Sequence, residues 1–413
     1  MTAPKQSHDA DYDDFLRHFD VYSRETPVRL DAVLDHARER CPVSRSVENG
    51  GYFLVSTYDD VSTVLREETQ ENSRFSSRGG KSLPAHQTLE MPPIDTDPPE
   101  HREYRRLLNK YFSRQGVARH EPAIAQLAHS LIDSFIDKES FDLLHDYATA
   151  LTAGTLCSVI LGIEDRDTMN EAMEVVEPIG KSNPGPVVWQ NLNDYLAGLI
   201  RERQPLATDN VFDAVLAGEV NRKPLTDDQK LGIISVLFLG GMDTTRAQIA
   251  CIGRHMVLNP GLEGRVRNPD WIRSDLDEFL RLDSVVSAMA RKVTRKTGLH
   301  GVELVAEDRL LLHYYGANHD PDVFDSPHEL VFGRLRNPHL AFAAGGHRCL
   351  GSSLARLEIK VAFAALLDRV ENLRPVPGSD ISMLPGISRM PQSLPVHFDR
   401  VRAASASWPP PVG

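Results

Sequence analysis

Between Thr226 and Asn259 the sequence reads as one uninterrupted helix, and that span constrains the fold more than any other. Thr226-Asp227-Asp228 supplies an N-cap and an acidic first turn, and Asn259-Pro260-Gly261 supplies the stop. About thirty-three residues lie between them, roughly 50 Å of helix at 1.5 Å per residue. That is nearly three times the usual helix length. A rod this long has to run through the body of the protein, with the remaining elements wrapped around it.

At its midpoint sits Gly240-Gly241-Met242-Asp243-Thr244-Thr245. Each glycine costs a helix roughly 1 kcal/mol against alanine, and an acid with two hydroxyls is costly to bury unsatisfied. A helix-breaking turn capped by Asp243 would account for these residues without any function. The apolar residues on either side favour continuity, and a buried helix that breaks the rules at its centre marks a functional site.

A second stretch carries the chemistry. Phe342-Ala343-Ala344-Gly345-Gly346-His347-Arg348-Cys349-Leu350-Gly351 leads directly into a helical segment that begins near Ser353. A cysteine just before a helix N-terminus sits where the dipole and free amides favour negative charge, so it is disposed to be a thiolate. The glycines beside it let something flat and bulky approach the backbone. Together they suggest a single-thiolate metal site, with haem iron as the leading candidate. A zinc site built from His339, His347 and Cys349 is the alternative, but its spacing is irregular and a second cysteine is lacking.

The rest of the chain excludes other classes. Its 413 residues carry a net charge of -12, against a general nucleic-acid binder. The four cysteines form no C-x-x-C pair, and Cys157 and Cys251 lie in apolar runs as expected of buried small hydrophobes. The polar, acidic N-terminus is no signal peptide, and the longest apolar run, 231–242, is too short to span a bilayer. A cytoplasmic protein with no membrane partner is therefore expected. Neither a P-loop nor a G-x-G-x-x-G motif appears, so a redox enzyme of this sequence would not bind its own nicotinamide or flavin through them.

Organisation reads as mainly α with small β-sheets. Residues 1–28 look like a loosely held arm, 29–402 a single catalytic domain and 403–413 a disordered tail. Residues 52–57 read as a strand, 58–67 as a helix, and 76–93 and 181–186 as long loops. Asp97-Pro98-Pro99-Glu100 begins a helix on which His101 and Arg105 fall one turn apart, a pair that a solvated face alone would explain. Glu278 and Arg281 are spaced i,i+3 on another helix. Residues 291–315 read as two or three strands and 380–398 as a short β region.

Taken together, these residues resemble the cytochrome P-450 superfamily of haem-thiolate monooxygenases, of the soluble bacterial type, over about residues 50–400. The loop from Phe342 to Gly351 is similar to the family's F-x-x-G-x-x-x-C-x-G ligand loop. Asp243-Thr244 resembles its acid–alcohol pair, Glu278 and Arg281 its E-x-x-R pair, and Asp97-Pro98-Pro99 with His101 and Arg105 its D-P-P-x-H-x-x-x-R segment. Gly316-Ala317-Asn318-His319-Asp320-Pro321 also matches.

The resemblance implies the cytochrome P-450 fold, with haem between the long helix and the cysteine-loop helix. It makes Cys349 the axial thiolate within a loop bounded by Phe342 and Gly351. His101, Arg105 and His347, with Arg291 by family position, would bind the propionates, and Asp243 with Thr244 would manage protons during oxygen activation. Glu278 and Arg281 would tie the core to the irregular stretch near Arg336. The implied cofactor is haem b, with O2 and NAD(P)H-derived electrons as co-substrates. The partners would be a ferredoxin and its reductase, docking on a basic face of Arg114, Arg348, Arg356 and Lys360, and a monomer is expected. The reaction would insert one oxygen atom into a C–H bond of a hydrophobic small molecule: terpenoid, steroid, fatty or polyketide-like. Leu239, Gly240, Val285, Val286, Met289 and Ile387 would line its pocket. Epoxidation, desaturation, dealkylation or oxidative coupling on the same scaffold is the alternative, and a haem-binding sensor or carrier the alternative of another class.

Four departures stand out, one of them the stretch from Phe332 to His339, which is shorter than usual. Ala343 occupies a position more often glycine or serine, and Val285 replaces a frequent proline. Arg246 follows Thr245 where many relatives are apolar, and it either pairs with an acid or reaches a polar substrate.

Overall fold

The long helix runs from Asp227 to Leu258, thirty-two residues without a break. Thr226 and Gln229 close a reciprocal capping box: the Thr226 hydroxyl accepts from the Gln229 backbone at 3.3 Å, and the Gln229 side chain accepts from the Thr226 backbone at 2.9 Å. The glycine pair therefore continues the helix, and the turn reading falls. Buried residues lie on every side of it, from Ile233 through Ala247 to Val257, as a helix enclosed by protein requires. The computed structural model describes residues 5–401, apart from 69, 71, 79–88, 164, 166, 169–170, 172–173, 176–184 and 204–208.

Three elements pack along this rod. One is a near-continuous helical stretch made of Leu143–Thr149, Ala150–Gly154 and Thr155–Ile160, in which the first and last segments are π-helical. A β-carbon at Gly241 would stand 2.9 Å from a methyl of Leu156, so the missing side chain is what lets these helices approach. The second is Pro186–Glu202, and the third is the helix after the cysteine loop, Ser352–Arg369, with Glu121–Phe135 packed behind it.

A five-stranded sheet closes one side, in the order Val43–Ser46, Tyr52–Val55, Arg309–Leu312, Met289–Val293, Phe75–Ser76. Only the second and third of these run parallel. Along Met289–Val293 the side chains alternate. Ala290 joins the cluster under the N-terminal segment, whereas Val293 joins the cluster beside Tyr58–Glu67; Met289 and Arg291 share the face of Val293. Residues 291–315 hold more regular structure than expected, with strands at Thr297–Leu299 and Val302–Leu304 as well, and Tyr314–Asn318 is a helix. The expected β region at 380–398 is strand only from Pro395, with isolated bridges before it; Val370–Pro375, Pro395–Arg400 and Ser140–Asp142 form a three-stranded sheet.

Two expectations need correction. The N-terminal segment is not a loose arm throughout: Lys5–Arg17 is helical, and Leu16, Phe19 and Val21 are buried against Leu54, Ala288 and Leu311. Apolar burial against a sheet face holds it down. Likewise, Arg336 is exposed, and Arg334 takes its expected place. Arg281 donates to both carboxylate oxygens of buried Glu278 at 2.8 and 2.9 Å, and to the carbonyls of Asn318, Pro327 and Glu329. Arg334 Nε adds 3.0 Å to Glu278 Oε2. The carboxylate is thus satisfied on every side and pins the irregular stretch ahead of the cysteine loop. Residues 403–413 lie outside those described. Cys157 and Cys251 are buried, as their apolar runs predicted.

Candidate active site

The cysteine loop is shaped by its backbone. The Cys349 amide donates to the Phe342 carbonyl at 2.9 Å, closing the loop, and the Phe342 ring lies under the Arg356 guanidinium at 5.3 Å. Gly345 has φ +65, and a β-carbon there would collide with the carbonyl of Leu65. Glycine is required on both counts. Ala343 also has a left-handed φ of 53, which an alanine adopts at some cost; the substitution for glycine or serine noted above is therefore a strained one.

Cys349 lies deep in the fold yet keeps an accessible side chain. Burial pushes its thiol pKa up, while the Gly351 backbone, Arg105, Arg348 and the Ser352 backbone pull it down. The net direction is upward, against the expectation of a thiolate from the helix start alone. A bound metal ion, which deprotonates a coordinating thiol outright, reverses that balance.

Beside the loop the fold assembles the predicted cationic rim. The rings of His101 and His347 lie 4.1 Å apart, and Arg105 Nη1 donates to the Arg348 carbonyl at 3.0 Å. Burial, followed by Arg105, lowers the pKa of His101 to about 4. Burial lowers that of His347 to about 2, with further contributions from Arg291, His101 and Arg105. Both imidazoles are neutral, so any positive charge on the rim comes from the arginines. Arg291 belongs to the same group but is already engaged: its guanidinium is paired with the buried carboxylate of Glu68.

On the long helix Thr244 Oγ1 donates to the Gly240 carbonyl at 2.9 Å. Asp243 is buried and paired with Arg246, whose Nε and Nη2 both donate to Oδ1, at 3.1 and 2.6 Å. Of the two readings of Arg246, the acid pair is the one the fold adopts. Asp243 and Thr244, adjacent in sequence, thus bond to different partners.

Two observations test whether these residues suit a haem. Nε2 of His101 and Nε2 of His347 are buried without a hydrogen-bond partner among the described residues, so both can serve an acceptor brought by a ligand. Gly240, midway along an enclosed helix, faces open space, since a β-carbon there would meet nothing within 4 Å. An accessible thiol, orphaned imidazoles, arginines and room beside a helix fit a flat, anionic, iron-bearing cofactor. Among the described residues, no group of three His, Cys, Asp or Glu could hold a metal ion.

The expected pocket residues separate into two sets. Leu239, Val286 and Met289 are partly exposed apolar side chains, and Val285 is buried beside them in sequence. Ile387 packs its side chain against the N-terminal cluster of Phe19 and Tyr315, while its backbone runs antiparallel beside Val285 and Val286, the Ser287 amide donating to the Ile387 carbonyl at 2.8 Å. The expected contacts at 79–88 and 176–184 lie outside the described residues. The basic face is likewise uneven. Arg356 is paired with Asp277 at 2.5 Å and Lys360 with Glu121 at 2.6 Å, whereas Arg114 and Arg348 are exposed with no ion pair among the described residues. Sequence reasoning missed Glu68 and Arg334; neither has a spacing signal that ties it to its partner.

A family model described as Cytochrome P450 matches residues 273–395. The chain is 30% identical over 358 residues to a Steroid C26-monooxygenase of Mycobacterium tuberculosis (strain CDC 1551 / Oshkosh), covering 84% of this chain and 93% of that protein. Among solved structures, CYP108D1 from Novosphingobium aromaticivorans superposes with a TM-score of 0.83 at 26% identity, covering 95% of this chain and 99% of the other. A mutant of P450 EryK in complex with erythromycin B gives 0.80 at 25% identity, covering 92% and 98%.

Proposed function

We propose a function from one premise: the chain belongs to the cytochrome P450 family. It is a cytochrome P450 monooxygenase, of a family that carries haem on a cysteine thiolate. No helix among the described residues is long and apolar enough to cross a membrane.

In our reading Cys349 is the iron ligand, and the observation that carries it is its exposed side chain at the end of a loop beside two imidazoles with orphaned Nε2 atoms. The bound group supplies oxygen activation, which a thiolate ligand favours by pushing electron density toward the iron. The chain's own residues do the rest. His101 and His347 would donate hydrogen bonds to the propionates, and Arg105 would add charge. The amides of Gly351 and Ser352 hold the sulfur and temper its donation. Thr244 Oγ1 holds a proton at the open side of the long helix, beside Gly240. Asp243 lies next to it as a carboxylate that can pass protons to that hydroxyl once Arg246 releases it.

Leu239, Val285, Val286 and Met289 keep the reacting space apolar, so the substrate is a hydrophobic small molecule. The steroid named for one relative and the erythromycin B bound to P450 EryK fall within the expected terpenoid, steroid, fatty and polyketide-like range. Electrons come from a ferredoxin and its reductase. The test of the ligand is the reduced carbon-monoxide spectrum: Cys349→His is expected to abolish the thiolate band, and its persistence would reject Cys349. Screening compounds for a spin-state shift identifies the substrate, and a hit set without apolar molecules would reject the proposed class.

A further inference from the structure

Arg291 is not a free cation. Its Nε and Nη2 both donate to Glu68, the latter at 3.2 Å to Oε1, and its Nη1 donates to the Ala290 carbonyl at 2.8 Å. A guanidinium has five N–H donors. With three of them committed to Glu68 and the Ala290 carbonyl, two remain for anything else.

Glu68 is as enclosed as its partner: the side chains of Arg291 and Glu68 are 4% and 0% exposed. It follows directly on the helix Tyr58–Glu67, whose Leu65 carbonyl touches Gly345 of the cysteine loop. Arg291 in turn acts on His347. The carboxylate therefore stands at the edge of the candidate haem site, where water cannot screen it. Such a pair contributes little net stability, because desolvation offsets the attraction. Burial pushes the Glu68 pKa up while Arg291 and Ser77 pull it down; held against the guanidinium, the carboxylate supplies negative charge beside a centre that gains an electron.

We propose that Glu68 is a positioning residue for the haem: its carboxylate holds Arg291 and cancels the charge that this arginine would otherwise present to a propionate, which lowers the reduction potential of the iron. The inference rests on the haem reading above. Reduction adds negative charge at the iron, and a buried carboxylate disfavours it by direct Coulomb repulsion.

The test is the midpoint potential, measured by spectroelectrochemical titration in the haem-loaded protein and in Glu68→Gln, Arg291→Gln and the double variant. Glu68→Gln is expected to shift the potential upward and Arg291→Gln downward, with the double variant returning close to the parent because the local net charge is restored. Glu68→Asp, which keeps the charge, is expected to stay near the parent, which a purely packing role would not predict. If Glu68→Gln fails to load haem, Arg291→Gln still carries the downward arm. Equal potentials across the set, with the thiolate carbon-monoxide band present, overturn the inference and leave the haem reading standing. A parent protein without that band overturns both.

Discussion

Arg246 and Asp243, one turn apart on the long helix, form a buried ion pair in which two guanidinium nitrogens converge on one carboxylate oxygen at 2.6 and 3.1 Å. The acid expected to work with Thr244 is thereby held along its own helix, while the Thr244 hydroxyl is bonded to the preceding turn. Removing Arg246 leaves a buried carboxylate uncompensated, which typically costs on the order of 3 kcal/mol. Arg246→Ala is expected to lower stability in urea by about that amount and Arg246→Lys by less. An unchanged midpoint would mean that the pair is not maintained in solution.

Thr244 is expected to control coupling rather than consumption. In Thr244→Ala, NAD(P)H oxidation should continue while product falls and peroxide rises, and Thr244→Ser should restore coupling because it keeps the hydroxyl. Asp243→Asn is expected to slow turnover, by a factor on the order of 10² if the carboxylate relays protons. Tight coupling in Thr244→Ala would remove the relay role, and an unaltered rate in Asp243→Asn would remove the acid's.

The proximal charges differ in what they can offer an acidic ferredoxin. Arg356 and Lys360 already have carboxylate partners, whereas Arg114 and Arg348 do not among the described residues. Arg348→Glu should therefore slow electron transfer more than Arg356→Glu and weaken its dependence on salt. Stopped-flow reduction at two ionic strengths checks this; the reverse ranking would move the docking face.

The E-x-x-R network separates two arginines two residues apart. Arg334→Ala removes a buried bond to Glu278 and is expected to lower the unfolding midpoint clearly, with a cost on the order of 3 kcal/mol. Arg336→Ala should stay within about 0.5 kcal/mol of the parent, as exposed substitutions do. Equal effects would mean that the two side chains share the position.

His313 sets an acid-side dependence. Burial, then Arg389 and Arg38, depress its pKa from the ordinary 6.5 to about 3, and its Nε2 has no hydrogen-bond partner among the described residues. A group whose folded pKa is depressed adds stability above its unfolded pKa, and that stability is lost as pH falls from about 6.5 toward 3. His313→Asn keeps an acceptor for the Gly316 amide and removes the titration, so its unfolding temperature should fall less steeply between about pH 7 and pH 4. Identical slopes would assign the acid sensitivity to other groups.

The sequence by itself determined the features that short-range physics controls. The capped helix of Asp227–Leu258, the helix Tyr58–Glu67 and the glycine-bearing loop before Ser352–Arg369 all rest on caps, periodicity and turn residues within a few positions of each other. The cysteine, the acid–alcohol pair and the His101–Arg105 turn were legible for the same reason. Tertiary structure alone decided which charges meet. Glu68 and Arg291 lie 223 positions apart in the chain, and Glu278 selects Arg334 over Arg336 according to the path of an irregular stretch. It also fixed the docked N-terminal segment and the upward push on the Cys349 thiol. Burial and ion pairing depend on distance through the folded protein and on how much water remains there, and neither quantity is written in the spacing of residues along the chain.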